Sequence, residues 1–381
     1  MSTVPGGLSA FLVNSLIMCI PWLLYFYIKK YVQQVVALFA LVAFWIVYEH
    51  IHHNWDLSWP WLALGNAFAS KPHWVQWYEY TGTSGGTLWI LLANIFIFLS
   101  YKIYRDEGRT TRYFKYIATF FAIICLPIAV SIFTGKRTLT LQHNKYNIVV
   151  VQPNIDPYQK FNSLNQAEQL NKLISLSQSA LDANTALVIW PETAVPRYTN
   201  ENALQTDDFL KPLWGFLRQN PNINLLTGIE GYKHFPSKIS RYAKQFPDSD
   251  GFYESYNSAA LFDSASAQIY HKSKLVPGVE VLPGFLNFMS AIFEKFGGTT
   301  GGYARDSVPR VLKTSNKTFN ITPAVCYESI YSDYLADFNR HESNLICIIT
   351  NDGWWGNTAG YKQHKDYARL RAIESRKWVA R

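Results

Sequence analysis

A membrane α-helical segment followed by an α/β domain is what this chain's pattern calls for. The first 140 residues carry four long uncharged runs, and from Tyr146 onward short apolar strands alternate with helical stretches. The composition agrees with both parts: 49% hydrophobic and 16% charged, against about 25% charged in an ordinary soluble domain. The mean hydropathy of −0.05 is too low for a wholly embedded protein, so it reads as an average over two unlike halves. Disorder, collagen-like sequence and a disulfide-stapled miniature are excluded, since only four cysteines are spread over 381 residues.

The four runs come first. Met1 to Ile28 holds no charged residue, and Tyr31–Tyr48, Tyr80–Tyr101 and Tyr116–Gly135 are likewise uncharged. A bilayer-spanning helix needs about 20 predominantly apolar residues. Four spanning helices are therefore expected near 8–28, 32–50, 85–103 and 115–134, making 1–140 a membrane domain. A cleaved leader fits poorly, because the first run has no basic stretch before it and three more runs follow.

Charge orients these helices. Lys29 and Lys30 lie between the first pair, and Lys102, Arg105, Arg109, Arg112 and Lys115 lie between the third and fourth. Segment 51–84 carries only Lys71. Basic loops stay on the cytoplasmic side, so everything after about residue 140 is expected outside the cytoplasm. Much of the +8 net charge is thus a topology signal, and nucleic acid is not an expected partner.

Segment 51–84 concentrates Trp55, Trp59, Trp61, Trp74, Trp77, Tyr78 and Tyr80, which suits a membrane–water boundary. Its cluster Glu49, His50, His52 and His53 reads as polar residues at a helix end. No cysteine or spaced histidine pair completes a metal set.

In 146–381 the strand candidates are 147–152, 186–190, 222–230, 257–262, 267–274, 318–327 and 345–350. Helices are expected near 163–182, 203–219 and 360–378. This alternation indicates a layered α/β domain.

Chemistry gathers at three strand ends. Glu192 follows the run 186–190, Lys272 closes 267–274 ahead of Pro277, and Cys326 stands where a strand turns into a helix. Taken singly, a turn carboxylate, a surface lysine and a packing cysteine are the commoner readings. Together they supply a base, a cation for a developing oxyanion, and a thiol whose thiolate a helix N-terminus favours. That is the set acyl transfer through a thioester requires. Cys19, Cys125 and Cys347 sit in apolar runs and read as packing.

The segments Val151-Gln152-Pro153-Asn154-Ile155, Trp190-Pro191-Glu192-Thr193, Tyr270-His271-Lys272 through Pro277, Cys326-Tyr327-Glu328-Ser329 and Asn351 through Gly356 resemble the nitrilase (carbon–nitrogen hydrolase) superfamily. Gln363-His364, Ala368-Arg369 and Arg371 through Glu374 extend the pattern. Within that superfamily, the membrane part, through Trp59 to Asn66 and Tyr80-Thr81-Gly82, is similar to the apolipoprotein N-acyltransferase family. The resemblance implies a nitrilase-like αββα sandwich for 146–381.

It also implies roles. Glu192 would be the general base for the Cys326 thiol, and Lys272, with the backbone N–H of Tyr327, would stabilise the tetrahedral intermediates. Lys272 rather than Lys274 matches, because it stands three residues before Leu275. Glu280 and Glu328 match supporting carboxylates, and Trp354 an aromatic near the substrate entrance. The implied reaction moves an acyl chain from a phospholipid through a Cys326 thioester to the amine of a diacylglyceryl-cysteine at the start of an apolipoprotein. The implied setting is a bacterial cytoplasmic (inner) membrane with the catalytic domain on the periplasmic side, and no cofactor or metal.

Departures are visible as well. The family's usual Leu-Val-Pro-Phe-Gly-Glu stands here as Leu275-Val276-Pro277-Gly278-Val279-Glu280. Family members carry further helices before this chain's start and further strands after Arg381, so the sequence is expected to be a fragment. A membrane-tethered amidase or nitrilase, and a non-catalytic lipid-binding subunit, are the alternatives. Phe285, Phe288, Met289, Ile292, Phe293 and Phe296 recur at helical spacing, as either core or a lipid-dipping arm.

Overall fold

The computed structural model describes residues 4–135, 146–157, 160, 166–247, 249–289, 302–306, 308–339 and 341–381. The chain divides into two compact units. One is Ser2–Thr140 with Arg369–Arg376, and the other Leu141–Ala368 with Lys377–Arg381.

The first unit contains helices α1 (Val4–Ile28), α2 (Gln34–His52), α3 (Tyr78–Glu107) and α4 (Thr111–Gly135). All four are long and apolar enough to cross a membrane. They leave Leu16, Leu23, Leu126 and Phe133 exposed, as helices apolar on every side do when lipid covers them. Pro21 and Pro127 sit inside α1 and α4, a tolerance usual in apolar spans. Tyr25, Ala37, Leu38, Leu41, Val42, Ile95 and Leu99 form the packed seam of α1, α2 and α3.

α3 begins at Tyr78, seven residues before the expected start, because Gly82 (φ 60°) joins two helical pieces through a conformation glycine takes freely. Glu49 is a structural hub. It accepts hydrogen bonds from Trp45 Nε1 (3.1 Å), the Leu64 amide (2.9 Å) and the Thr87 hydroxyl (2.7 Å). No group of His, Cys, Asp and Glu among the described residues is arranged to hold a metal.

The second unit is an αββα sandwich. Its larger sheet has the order β1 (Asn147–Val150), β2 (Thr185–Ile189), β4 (Asn224–Phe235), β6 (Phe252–Phe262), β5 (Lys244–Gln245). β3 (Val195–Asn200) also pairs with β4, and β7 (Ala267–His271) with β6. The smaller sheet runs β11 (Trp378–Ala380), β10 (Leu345–Ile349), β9 (Asn320–Val325), β8 (Leu312–Lys313).

β2 and β10 are buried at every position, which explains why their sequences are continuous apolar runs: parallel strands covered on both faces need no polar side. Leu187, Ile189, Leu226 and Leu261 of one sheet meet Ile321, Val325, Ile346 and Ile348 of the other in a shared core. Each such buried aliphatic contributes about 1.5–3 kcal/mol. The outer face of the larger sheet packs Val188, Trp190 and Leu225 against Leu170 and Leu173 of α5 (Gln166–Ala180) and Leu213 and Leu217 of α6 (Lys211–Gln219). Leu335 and Phe338 of α7 (Ser332–Asn339) and Ala368 of α8 (Gly360–Ser375) border the inter-sheet core.

Several element boundaries differ from the sequence expectation. The helix expected at 203–219 is two short turns followed by α6. Asp207 caps the second turn by accepting from the Phe209 amide, and Pro212 opens α6. The last helix stops at Ser375 because Arg376 adopts φ 50°, turning the chain into β11. Strands β3, β5, β8 and β11 escaped the sequence reading, being short or, for β3, interrupted by Pro196. Of the phenylalanine stripe, Phe285 and Phe288 lie in a 3-10 turn, Gly284–Met289. Ile292, Phe293 and Phe296 fall outside the described residues.

Candidate active site

β2 delivers Glu192. Beyond Ile189 the chain passes Trp190, whose amide donates to the Leu226 carbonyl (2.8 Å), and Pro191, whose carbonyl accepts from the Gly228 amide (3.1 Å). The loop presses onto β4 so closely that a Cβ at Gly228 would meet the Thr193 amide nitrogen at 2.3 Å and Glu192 Cα at 2.6 Å. Thr193 holds φ 46°, a left-handed conformation costly for a β-branched residue. Buried Lys160 secures it. Its ammonium donates to the Thr193 carbonyl, to Thr193 Oγ1 (2.8 Å) and to the Glu192 carbonyl (3.3 Å).

β6 and β7 deliver Lys272. Their antiparallel register pairs Ser258 with His271, and the Lys272 amide continues the ladder onto the Asn257 carbonyl (2.9 Å). Asn257 and Lys272 therefore stand side by side at the end of the sheet. His271 is locked beneath them, stacked on Tyr256 with ring centroids 3.9 Å apart, with Glu201 (2.7 Å) and Asp306 (3.0 Å) at its nitrogens.

The three strand ends converge there. Lys272 Nζ reaches Glu280 Oε1 at 2.8 Å and Glu192 Oε1 at 3.4 Å. Asn257 Nδ2 donates to the same two oxygens, 2.8 Å to Glu192 and 2.9 Å to Glu280. Glu280 is fixed from behind by the Val276 amide (2.8 Å), so the Gly278–Val279 variation in the preceding turn leaves the carboxylate bound to the lysine. Burial disfavours the Lys272 charge, yet Glu280 and Glu192 together hold its pKa above the ordinary lysine value. It is a fixed cation.

Cys326 closes β9 at φ 52° and opens a five-residue 3-10 turn, Cys326–Ile330. Burial first, then Glu192, push its thiol up, against Lys272 and a hydrogen bond with Thr350. Burial and the neighbouring carboxylate thus oppose the thiolate that the helix N-terminus is expected to favour. Glu328 braces this corner. Fully buried, it accepts from the Val325 amide (2.8 Å), the Ser273 amide (2.7 Å) and the Tyr270 hydroxyl (2.6 Å), tying the cysteine strand to the lysine loop. Tyr327 is buried behind Cys326, while Trp354 is 47% exposed on a 3-10 turn after β10.

Sequence reasoning did not single out Asn257 or Lys160. Asn257 was legible only as part of a strand, and Lys160 only as one basic residue in a polar loop. His364 and Asp352 were seen as pattern, without a role.

A thiol, two carboxylates and a buried ammonium thus stand at the ends of a two-sheet sandwich. The chain belongs to the carbon–nitrogen hydrolase family, whose model matches residues 147–381. Residues 1–96 match the model of the apolipoprotein N-acyltransferase N-terminal domain.

Among curated relatives, the apolipoprotein N-acyltransferase of Chlorobaculum tepidum is 29% identical over all of this chain and 72% of its own length. That of Rhodopseudomonas palustris is 29% identical over 83% of this chain and 56% of its own length. The chain thus spans little more than half of some relatives it matches. Among solved structures, a carbon–nitrogen hydrolase from Helicobacter pylori is similar at 14% identity and a TM-score of 0.37, over 61% of this chain and 70% of that one.

Proposed function

We propose that this chain carries the catalytic centre of a membrane-bound acyltransferase that moves an acyl chain from a phospholipid, through a Cys326 thioester, to the amino terminus of a diacylglyceryl-cysteine apolipoprotein. The observation that carries the reading is the convergence of Glu192 and Glu280 on one buried lysine beside the cysteine, in a chain with four membrane-length helices. The membrane is the bacterial cytoplasmic membrane. The basic loops at Lys29–Lys30 and Lys102–Lys115 argue for a catalytic unit on the periplasmic side.

In this reading Glu192 takes the Cys326 proton as the sulfur adds to the ester carbonyl. Lys272 and the Tyr327 amide hold the resulting oxyanion. Collapse breaks the carbon–oxygen bond, Glu192 returns the proton to the departing glycerol oxygen, and a lysophospholipid leaves. The acceptor amine then adds to the thioester, gives its proton to Glu192, and the carbon–sulfur bond breaks; the thiolate recovers the proton. Glu192 starts as the carboxylate and Cys326 as the thiol, so the negative charge passes from Glu192 to an oxyanion beside Lys272. Exposed Phe285 and Phe288, 63% and 82% accessible and close in sequence to Glu280, offer apolar surface to an acyl chain.

The test is incubation of the full-length protein with acyl-labelled phosphatidylethanolamine, followed by a diacylated lipopeptide. A hydroxylamine-sensitive label on the protein, absent in Cys326→Ala and chased onto the peptide amine, is expected. Label released only as free fatty acid would replace transfer with hydrolysis.

A further inference from the structure

We propose that His364 and Asp352 are positioning residues that fix the peptide unit between Cys326 and Tyr327, and so aim the oxyanion-binding N–H. The inference rests on the reading of Cys326 as nucleophile. It adds two residues to which that reading gives no part.

The geometry is a relay. The Cys326 carbonyl oxygen accepts from Ser329 Oγ (2.7 Å) and lies 3.1 Å from His364 Nε2. His364 Nδ1 lies 2.9 Å from Asp352 Oδ1, and Asp352 Oδ2 accepts from Arg381 Nη2 (2.6 Å). His364 is 1% exposed, and its Nε2 also lies 3.0 Å from Ser329 Oγ. Burial works against the Asp352 charge, but His364 and Arg381 hold its pKa below the ordinary carboxylate value. It stays an anion that holds the ring in place, and Arg381 Nη2 lies 3.2 Å from the same His364 Nδ1.

Peptide planarity converts this into function. The carbonyl of Cys326 and the N–H of Tyr327 belong to one rigid trans unit and point in opposite directions. Pinning the oxygen therefore sets the direction of the N–H. The pin is needed because Cys326 sits at φ 52°, which a residue with a side chain rarely takes unless its surroundings impose it. His364, from α8, and Ser329, from the turn itself, impose it from one side; the N–H is left facing the other. Glu328 holds the preceding amide at Val325, so the two ends of the corner are fixed independently.

The experiment separates aiming from folding by using two reactions of the same sulfur in full-length protein. Acylation of Cys326 by a p-nitrophenyl ester passes through an oxyanion; alkylation by iodoacetamide does not. Both are read at Cys326 by mass spectrometry. His364→Leu is expected to slow acylation about 100-fold, the scale of losing one oxyanion donor, with alkylation within about threefold of wild type. His364→Gln, which keeps a donor near the Nε2 position, is expected to recover most of the loss. If His364→Leu does not fold, Asp352→Asn carries the test, with acylation reduced about tenfold and alkylation unchanged. Equal acylation in variant and wild type, or acylation and alkylation falling together, overturns the proposal. Failure of the wild type with phospholipid but not with the nitrophenyl ester would instead overturn the substrate reading alone.

Discussion

Lys272 binds Glu280 more closely than it binds Glu192, 2.8 Å against 3.4 Å. The lysine's first partner is thus a carboxylate anchored by the Val276 amide, while Glu192 is held by Asn257 as well and shares the ammonium at longer range. This division leaves Glu192 less committed to the lysine, as the proposed general base should be.

Glu280→Gln follows directly. Without that charge, Lys272 has Glu192 as its near anion, and the tighter pair makes Glu192 a weaker base. The acylation rate in a single-turnover assay is expected to fall 10- to 100-fold, and Tm to drop, because breaking a buried ion pair costs about 3–5 kcal/mol. An undiminished rate would show that Glu280 is not what holds the lysine off Glu192.

The raised Cys326 thiol gives a pH prediction with opposite signs for two assays. Iodoacetamide reacts with thiolate, so wild-type alkylation should keep rising past about pH 9 without levelling. Glu192 is one of the groups pushing the thiol up. Glu192→Gln should therefore alkylate faster than wild type at pH 8 while losing acyl transfer by at least about 100-fold. A plateau below pH 8 in the wild type would mean that burial does not hold the proton on the sulfur.

The layers were legible in the sequence because both sheets are built from runs such as 186–190 and 345–350, whose burial on both faces leaves no polar alternation. Glu192, Lys272 and Cys326 were legible because each sits where such a run ends. Asn257 was not: it lies inside a strand, and its importance comes from the β6–β7 register that sets it beside Lys272, a long-range fact. Lys160 was hidden for a similar reason, since only folding brings it 33 positions along the chain to Thr193. The push of burial and Glu192 on the thiol was not legible, because local helix position is visible in sequence, whereas burial and the nearness of Glu192 are not.

Gly228 tests how far the Glu192 loop depends on contact with β4. The Pro191–Thr193 backbone occupies the space a side chain would need, at 2.3 Å from the Thr193 nitrogen. Gly228→Ala should push that loop outward, with a stability loss of roughly 1–3 kcal/mol, the usual scale for overpacking. A larger fall in acylation than in Tm would follow, because Glu192 moves with the loop. Fragment-wise hydrogen exchange over 190–194 checks the displacement, and unchanged protection there would refute it.

Lys160 contributes stability that rises with pH above 8. Burial lowers its pKa to about 8, despite Glu192 and Glu230 pulling it up, while the unfolded chain keeps it near 10.5. Between those values the unfolded state binds more protons, so the folded state gains as pH increases from 8 toward 10.5; below 8 that contribution is absent. The full span is worth roughly 3 kcal/mol. Lys160→Met removes the titration but also the donor that holds Thr193 at φ 46°. The variant is therefore expected to lose acylation activity at every pH. Between pH 8 and 10 the wild type should gain stability relative to the variant. Denaturation curves of the two proteins at pH 7, 8, 9 and 10 check the sign: parallel curves, or a wild type that loses ground as pH rises, would mean that Lys160 is not buried against the Glu192 loop in solution.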